Sequence, residues 1–199
     1  MKIGFALPNI GPIGTIEAVT KVAQRAEALG YSSLWTVERL LYPVKLQTPY
    51  PGTPDGSLPE AYKHSLDPLD TLTFVAGMTK KIKLGTSVLD IPYYNPVMLA
   101  RRLTTIDFLS NGRLLVGLGL GWSKDEMDAT GGDMTKRGAV ADEFIQVLKA
   151  IWTTNPVEFS GKFYKIMLSC QFVWVPVEDF QPSFEAPQNG QPLPTTVVK

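Results

Sequence analysis

What this chain of 199 residues holds little of already narrows its chemistry. It has one cysteine, Cys170, and one histidine, His64. A single cysteine forms no internal disulfide, which fits a reducing compartment. As a nucleophile it would need His64 as its base, a poor basis for thiol catalysis. Lysine plus arginine equals aspartate plus glutamate at 19 each, so no net field recruits nucleic acid or an anionic membrane. No apolar run approaches the length that spans a bilayer. The stretch from Met1 to Pro8 is too short in apolar residues for a secretory signal and reads as a first strand, so the expected location is the cytoplasm. Phosphate-loop, nucleophile-elbow and His/Cys metal spacings are all missing. Small-molecule chemistry is the default that these absences leave.

What is present is an ordinary globular composition, 44% hydrophobic and 19% charged, with enough apolar material for a core. Ile3 to Leu7 is a compact apolar run. After it Ile16, Val19, Val22, Ala23, Ala26 and Leu29 recur at helical spacing until Gly30. Ser32 to Val37 predicts a second strand. Asp67-Pro68 then opens a helix whose inward positions are Leu69, Leu72, Val75 and Ala76, ending at Lys80 and Lys81. Ile82 to Leu89 predicts a third strand. Asn95-Pro96 starts a helix with Leu99, Leu103, Ile106 and Leu109 inward, stopped by Asn111-Gly112. Leu114 to Leu118 predicts a fourth strand, and Val140, Phe144, Val147, Leu148 and Ile151 share one face of a fourth helix. Strands alternating with helices at this pace imply an α/β fold with a parallel sheet and right-handed crossovers.

Two stretches break the pattern. Residues 42–66, rich in Pro, Gly, Tyr and Ser, form a long connection that reads either as a functional lid or as a surface insertion. Beyond Ile166 the period is lost. Phe172 to Val175 could form one strand, but prolines crowd the tail, so the chain divides into 1–166 and a divergent Pro-rich tail, 167–199.

In parallel α/β architectures ligands bind beyond the carboxyl ends of the strands. The residues there are Pro8-Asn9 after the first strand, Glu38-Arg39 after the second, Ser87 to Asp90 at the third, and Gly119-Leu120-Gly121-Trp122 after the fourth. For the two glycines the alternatives are close approach to a ligand or tight packing of strand against loop. Trp122 either walls a pocket or fills core. Asp125 and Glu126 read as solvated loop charges, and His64 as an exposed loop residue.

Ordered motifs carry a family resemblance: Ala28-Leu29-Gly30-Tyr31, Gly85-Thr86-Ser87-Val88, the run from Asn95-Pro96 through Arg101-Arg102 to Asn111-Gly112-Arg113, and Gly117-Leu118-Gly119-Leu120-Gly121-Trp122. Over roughly residues 1–166 the chain resembles the luciferase-like monooxygenases and their deazaflavin-dependent relatives. The resemblance implies a TIM-type (β/α) barrel of which this is the N-terminal half, with four βα units. It also implies an oxidoreductase that binds FMN or coenzyme F420 at the strand ends and acts on a small organic substrate. Reduced flavin would bring dioxygen into the reaction, whereas the deazaflavin would exchange a hydride. Ser87-Val88 matches the place where the family often carries a bulge with a non-proline cis peptide behind the ring. Asn9, Glu38, Arg39, Ser87, Val88, Gly119, Gly121 and Trp122 are thus the expected cofactor-binding residues.

Two departures from the family qualify this. Where many members have a carboxylate followed by His, this chain has Glu38-Arg39. Arginine does not trade protons, so Arg39 suits either a substrate or cofactor anion or an ion pair with Glu38. A complete barrel of this type also takes about 250 residues and commonly draws its phosphate site from its last loops. The alternative reading is therefore a non-catalytic half-barrel. Either way the expectation is weak cofactor binding by this chain alone and self-association, as a homo-oligomer, through an open sheet edge.

Overall fold

The computed structural model describes residues 2–167 and 196–198. Phe172 to Val175 and most of the Pro-rich tail lie outside the described residues. Thirteen elements of strand or α-helix are described, and the expected alternation holds. Strand β1 (Gly4–Ala6) leads to helix α1 (Ile16–Ala28), β2 (Ser33–Thr36) to α2 (Pro68–Met78), and β3 (Lys83–Thr86) with β4 (Leu89–Asp90) to α3 (Pro96–Leu109). Next come β5 (Leu114–Gly119), the short helix α4 (Lys124–Thr130) and α5 (Arg137–Thr153). A hairpin of β6 (Glu158–Ser160) and β7 (Lys165–Met167) follows, and β8 (Thr196–Val198) is the final strand.

β1, β2, β3 and β5 lie side by side, all parallel, with Phe5 opposite Leu34, Leu34 opposite Leu84, and Leu84 opposite Leu114. The order follows the chain, as successive βα units winding in one direction require. β4 continues the line of β3 and pairs with β5 in parallel, while β8 lies antiparallel to β5. Sheet and helices share one core, in which Leu34, Leu84, Leu69, Leu72, Leu99, Leu103, Phe144 and Leu148 are wholly or almost wholly buried.

Several sequence expectations are corrected at element ends. Ile16 opens α1 and Leu29 follows its last residue, yet both are largely exposed, and Leu109, the last residue of α3, is half-exposed. α2 ends at Met78 rather than at the lysines. The backbone N–H groups of Lys80, Lys81 and Ile82 instead donate to the Glu27 carboxylate, which anchors this turn to the end of α1. The span Ile82 to Leu89 is two strands, broken at a cis Ser87–Val88 peptide bond. α4 was not anticipated, although its signals are local. Ser123 accepts a hydrogen bond from the Glu126 N–H at the start, and Gly131, at φ 76°, ends it in the left-handed conformation.

Candidate functional site

The end of the sheet where β1, β2, β4 and β5 finish is built by polar residues that lock the strand ends to one another. Asn9, fully buried, donates from Nδ2 to the carbonyls of Val37 (2.7 Å) and Leu66 (3.2 Å) and accepts from the Val37 N–H (3.1 Å). Its amide thereby fixes the exit of β2 and the end of the 42–66 connection. Ser87 is held from below, its N–H donating to the Thr36 carbonyl at 2.7 Å, while its side chain is exposed and Val88 is half-buried.

The two glycines of β5 and its exit have protein neighbours that explain them. A Cβ on Gly119 would stand 2.5 Å from the Val88 side chain and 2.9 Å from Asp90 Oδ1, so the turn at Ser87–Val88 sits directly against Gly119. Gly121 has φ 70°, a conformation that side chains rarely adopt, and its N–H donates to Asp90 Oδ1 at 3.1 Å. Trp35, on β2, lies over Gly4 and Gly85, where an added Cβ would meet its ring at 2.5 Å and 2.4 Å. Two bare glycines thus make room for one indole across three strands.

Three carboxylates and one guanidinium meet above these strand ends. Glu38 accepts from the Asp90 N–H at 2.6 Å and from the Tyr94 hydroxyl. Burial pushes Glu38 up to about 7, against the pull of those two hydrogen bonds. Burial, helped by the Glu126 charge, pushes Asp90 up to about 6. Glu126 is 1% exposed, which corrects its reading as a solvated charge. It accepts from the N–H groups of Leu40 (2.7 Å) and Leu41 (3.0 Å) and from the Tyr93 hydroxyl (2.9 Å). These donors come from the exit of β2 and from the turn after β4, and together they replace the water that Glu126 loses. Asp125 accepts from the Gln47 N–H at 3.1 Å.

Arg39 pairs with Glu126 and not with Glu38, its Nη2 lying 2.6 Å from Oε2 with both side chains almost wholly buried. The approach is that of an ion contact without hydrogen-bond geometry, and among the described residues Nε and Nη2 have no hydrogen-bond acceptor. The guanidinium lies 5.0 Å from the Trp122 ring centre and 5.7 Å from that of Tyr62. Tyr50 packs against Trp122 at 5.2 Å, and its hydroxyl lies 2.9 Å from that of Tyr62. The 42–66 connection is thus laid over the strand ends by its tyrosines. It is tied to α4 by Gln47, which reaches Asp125 and Asp128, and by Thr48, which accepts from the Lys124 N–H.

The structure therefore gathers Glu38, Arg39, Trp122, Gly119, Gly121 and the Ser87–Val88 turn at one end of the sheet, with Asn9 beneath as a buried tie. Sequence reasoning missed Tyr93 and Tyr94, placed Asp90 at the end of the third strand without a role, and read Glu126 as a solvated charge. The Ser123-x-x-Glu126 spacing signalled a helix start, but nothing local placed its carboxylate against Arg39. His64 is exposed, as read from the sequence. Among the described residues, no helix is long and apolar enough to cross a membrane.

Comparison with known proteins gives relatives in sequence and in fold. An uncharacterized protein of Mycobacterium tuberculosis is 33% identical over 171 residues, covering 85% of this chain and 56% of the relative. The F420-dependent glucose-6-phosphate dehydrogenase of Amycolatopsis mediterranei is 30% identical over 173 residues, covering 84% of this chain and 46% of that enzyme. This chain thus spans about half the length of the curated relatives it matches. Its fold superposes on the FMN complex of the oxygenating constituent of 3,6-diketocamphane monooxygenase from Pseudomonas putida. The TM-score is 0.66 at 20% identity, over 83% of this chain and 43% of that one. The family profile of the luciferase-like monooxygenases matches residues 1–192, and the chain belongs to that family.

Proposed function

We propose that this chain forms the N-terminal part of a (β/α) barrel oxidoreductase that uses FMN or coenzyme F420 on a small organic substrate. The reading is carried by one observation: in a member of this family, buried titratable groups, a buried guanidinium and an indole converge where parallel strands end. The residues fit such a group. The Ser87–Val88 turn, backed by Gly119, offers an apolar platform beside an exposed hydroxyl, and the Arg39–Glu126 pair and Trp122 stand at the same strand ends. When bound, reduced FMN would activate dioxygen and F420 would carry a hydride.

The chain's own residues supply placement and proton control. Glu38, pushed up to about 7 and joined to the Tyr94 hydroxyl, holds a proton at a carboxyl oxygen near neutral pH. Asp90 orients the exit of β5 through the Gly121 N–H. Trp122, Tyr50 and Tyr62 keep water from the guanidinium. Asn9, Glu38, Arg39, Ser87, Val88, Gly119, Gly121 and Trp122 make up the proposed cofactor surface, Asn9 acting from beneath. Ile3, just before the outermost strand β1, and Phe5, within it, are 48% and 46% exposed and favour self-association. Titration of FMN and of F420 into the purified chain, followed by cofactor absorbance and fluorescence, tests the assignment. A saturable change with one of them is expected, and no change with either would overturn it.

A further inference from the structure

Among the described residues the sheet ends on one side at β1, which pairs with β2 alone, whereas beyond β5 the strand β8 is already in place. The N–H of Ser32 donates to the Ile3 carbonyl and the N–H of Leu7 to the Trp35 carbonyl, so Ile3, Phe5 and Leu7 turn their backbone groups towards β2. By the alternation of a strand, Gly4 and Ala6 turn theirs outward, where no described strand meets them. All three residues of β1 are exposed. Beside this edge lies an apolar groove of about 330 Å³, walled by Phe5 and Tyr31 on one side and by Val22, Ala26 and Leu29 along α1 on the other.

An open strand edge is a template for another strand, and the groove beside it needs an apolar side chain to fill it. A second copy supplies both through one two-fold axis. With β1 antiparallel to β1, Gly4 of each copy faces Ala6 of the other, and each such pair exchanges two N–H to carbonyl bonds, so every outward backbone group of the strand is satisfied. Phe5 then faces Phe5 as the pair without hydrogen bonds between them, with Cα atoms about 4.5 Å apart. Both rings lie on the groove side, since Phe5 lines the groove while a Cβ on Gly4 would point into Trp35 on the other face. Charge does not oppose the pairing. Acids and bases are equal at 19 each, so no net charge holds two copies apart, and Lys21 and Arg25, which also line the groove, are exposed and keep their charges in water.

We propose that the β1 edge docks a second copy of this chain, β1 against β1 in an antiparallel register centred on Phe5, with the paired Phe5 rings filling the grooves beside the two α1 helices. This inference rests on the self-association read above from Ile3 and Phe5, gives it a definite face and register, and is independent of the oxidoreductase reading. It leaves the strand ends that carry Glu38, Arg39 and Trp122 outside the contact.

Cysteine crosslinking of the full chain tests the register, with Cys170→Ser removing the one native thiol. Ile3 and Phe5 are almost equally exposed, at 48% and 46%, so random collision would oxidise Ile3→Cys and Phe5→Cys at equal rates. In the register centred on Phe5 only the Phe5→Cys pair lies within the Cα separation of about 4.4–6.8 Å that a disulfide spans. Phe5→Cys should therefore form the covalent dimer at least ten-fold faster than Ile3→Cys under mild oxidation. Ala6→Pro removes an outward N–H and spares those facing β2, so it should weaken the dimer at least ten-fold in sedimentation equilibrium while the melting transition persists. Equal crosslinking rates, a faster Ile3→Cys crosslink, or an unweakened Ala6→Pro dimer would each overturn this face and register. A wild-type chain that stays monomeric would overturn self-association as well. The crosslinking comparison decides the matter even if Ala6→Pro does not fold, and cofactor titration reports separately on the oxidoreductase reading.

Discussion

The Arg39 guanidinium lies 2.6 Å from the Glu126 carboxylate, and the two side chains are 6% and 1% exposed. One residue leaves β2 and the other sits in α4, so the pair ties the second βα unit to the fourth. Removing one partner of such a pair strands the other charge away from water. Glu126→Ala should therefore lower stability by about 3–5 kcal/mol, with Glu126→Gln intermediate because it keeps an acceptor for the Leu40 and Leu41 N–H groups. Denaturant titration at neutral pH measures both. Equal stability of wild type and Glu126→Ala would show that the pair contributes nothing.

Glycine replacements should separate packing from propensity. Gly119→Ala places a methyl against Val88 and Asp90 and should cost about 1–3 kcal/mol by overpacking. Gly77→Ala, on α2 with nothing within 4 Å of the added Cβ, should stabilise by about 0.4–1 kcal/mol. Thermal melts of the two variants should move in opposite directions, and a shared direction would refute the close approach of Val88 to Gly119.

Glu38 makes stability depend on pH with a definite sign. Its folded value, about 7, lies above the ordinary 4.5, so the folded chain binds more protons than the unfolded chain between those values. Stability from this group is present below pH 4.5 and is lost as pH rises towards 7 and past it. Asp90, raised to about 6, acts in the same direction. Glu38→Gln, which can still accept from the Asp90 N–H, should be more stable than wild type at pH 8 and lose that advantage by pH 5, by about 1.4 kcal/mol per pH unit at most. Denaturant midpoints measured across this range provide the check, and a constant difference between the two proteins would rule out Glu38 as the titrating group.

The turn of the β6–β7 hairpin is tied to α5 by Glu143, which accepts from the N–H groups of Lys162, Phe163 and Tyr164. Glu143→Ala should speed amide exchange at these three positions at least ten-fold and leave the sheet amides of Leu84 and Val116 unchanged. Unaltered exchange at 162–164 would mean that Phe144 packing against Tyr164 suffices to hold the turn.

The sequence exposed what depends on local periodicity and caps. Asp67-Pro68 and Asn95-Pro96 start α2 and α3 as read, because each cap side chain accepts from backbone N–H groups of its own first turn. The four parallel strands fell where apolar runs stood. The rest depended on distant partners. Glu126 looks solvated in sequence because the N–H groups that bury it belong to Leu40 and Leu41, in another loop. Ile82 to Leu89 reads as one strand because the change of partner, from β2 and β5 on one side of Ser87–Val88 to β5 alone on the other, leaves no mark in hydrophobicity. Glu38 beside Arg39 suggested a pair between neighbours, yet each finds its partner elsewhere, Glu38 in Tyr94 and Arg39 in Glu126.

Amide hydrogen exchange with and without saturating FMN or F420 addresses the central claim most directly, because it reports where the cofactor touches the chain. The account predicts that one of the two slows exchange in peptides spanning 86–90 and 119–123, the Ser87–Val88 turn and the exit of β5. No protection there with either cofactor, or protection confined to the opposite face around Phe5, Leu29 and Tyr31, would contradict it.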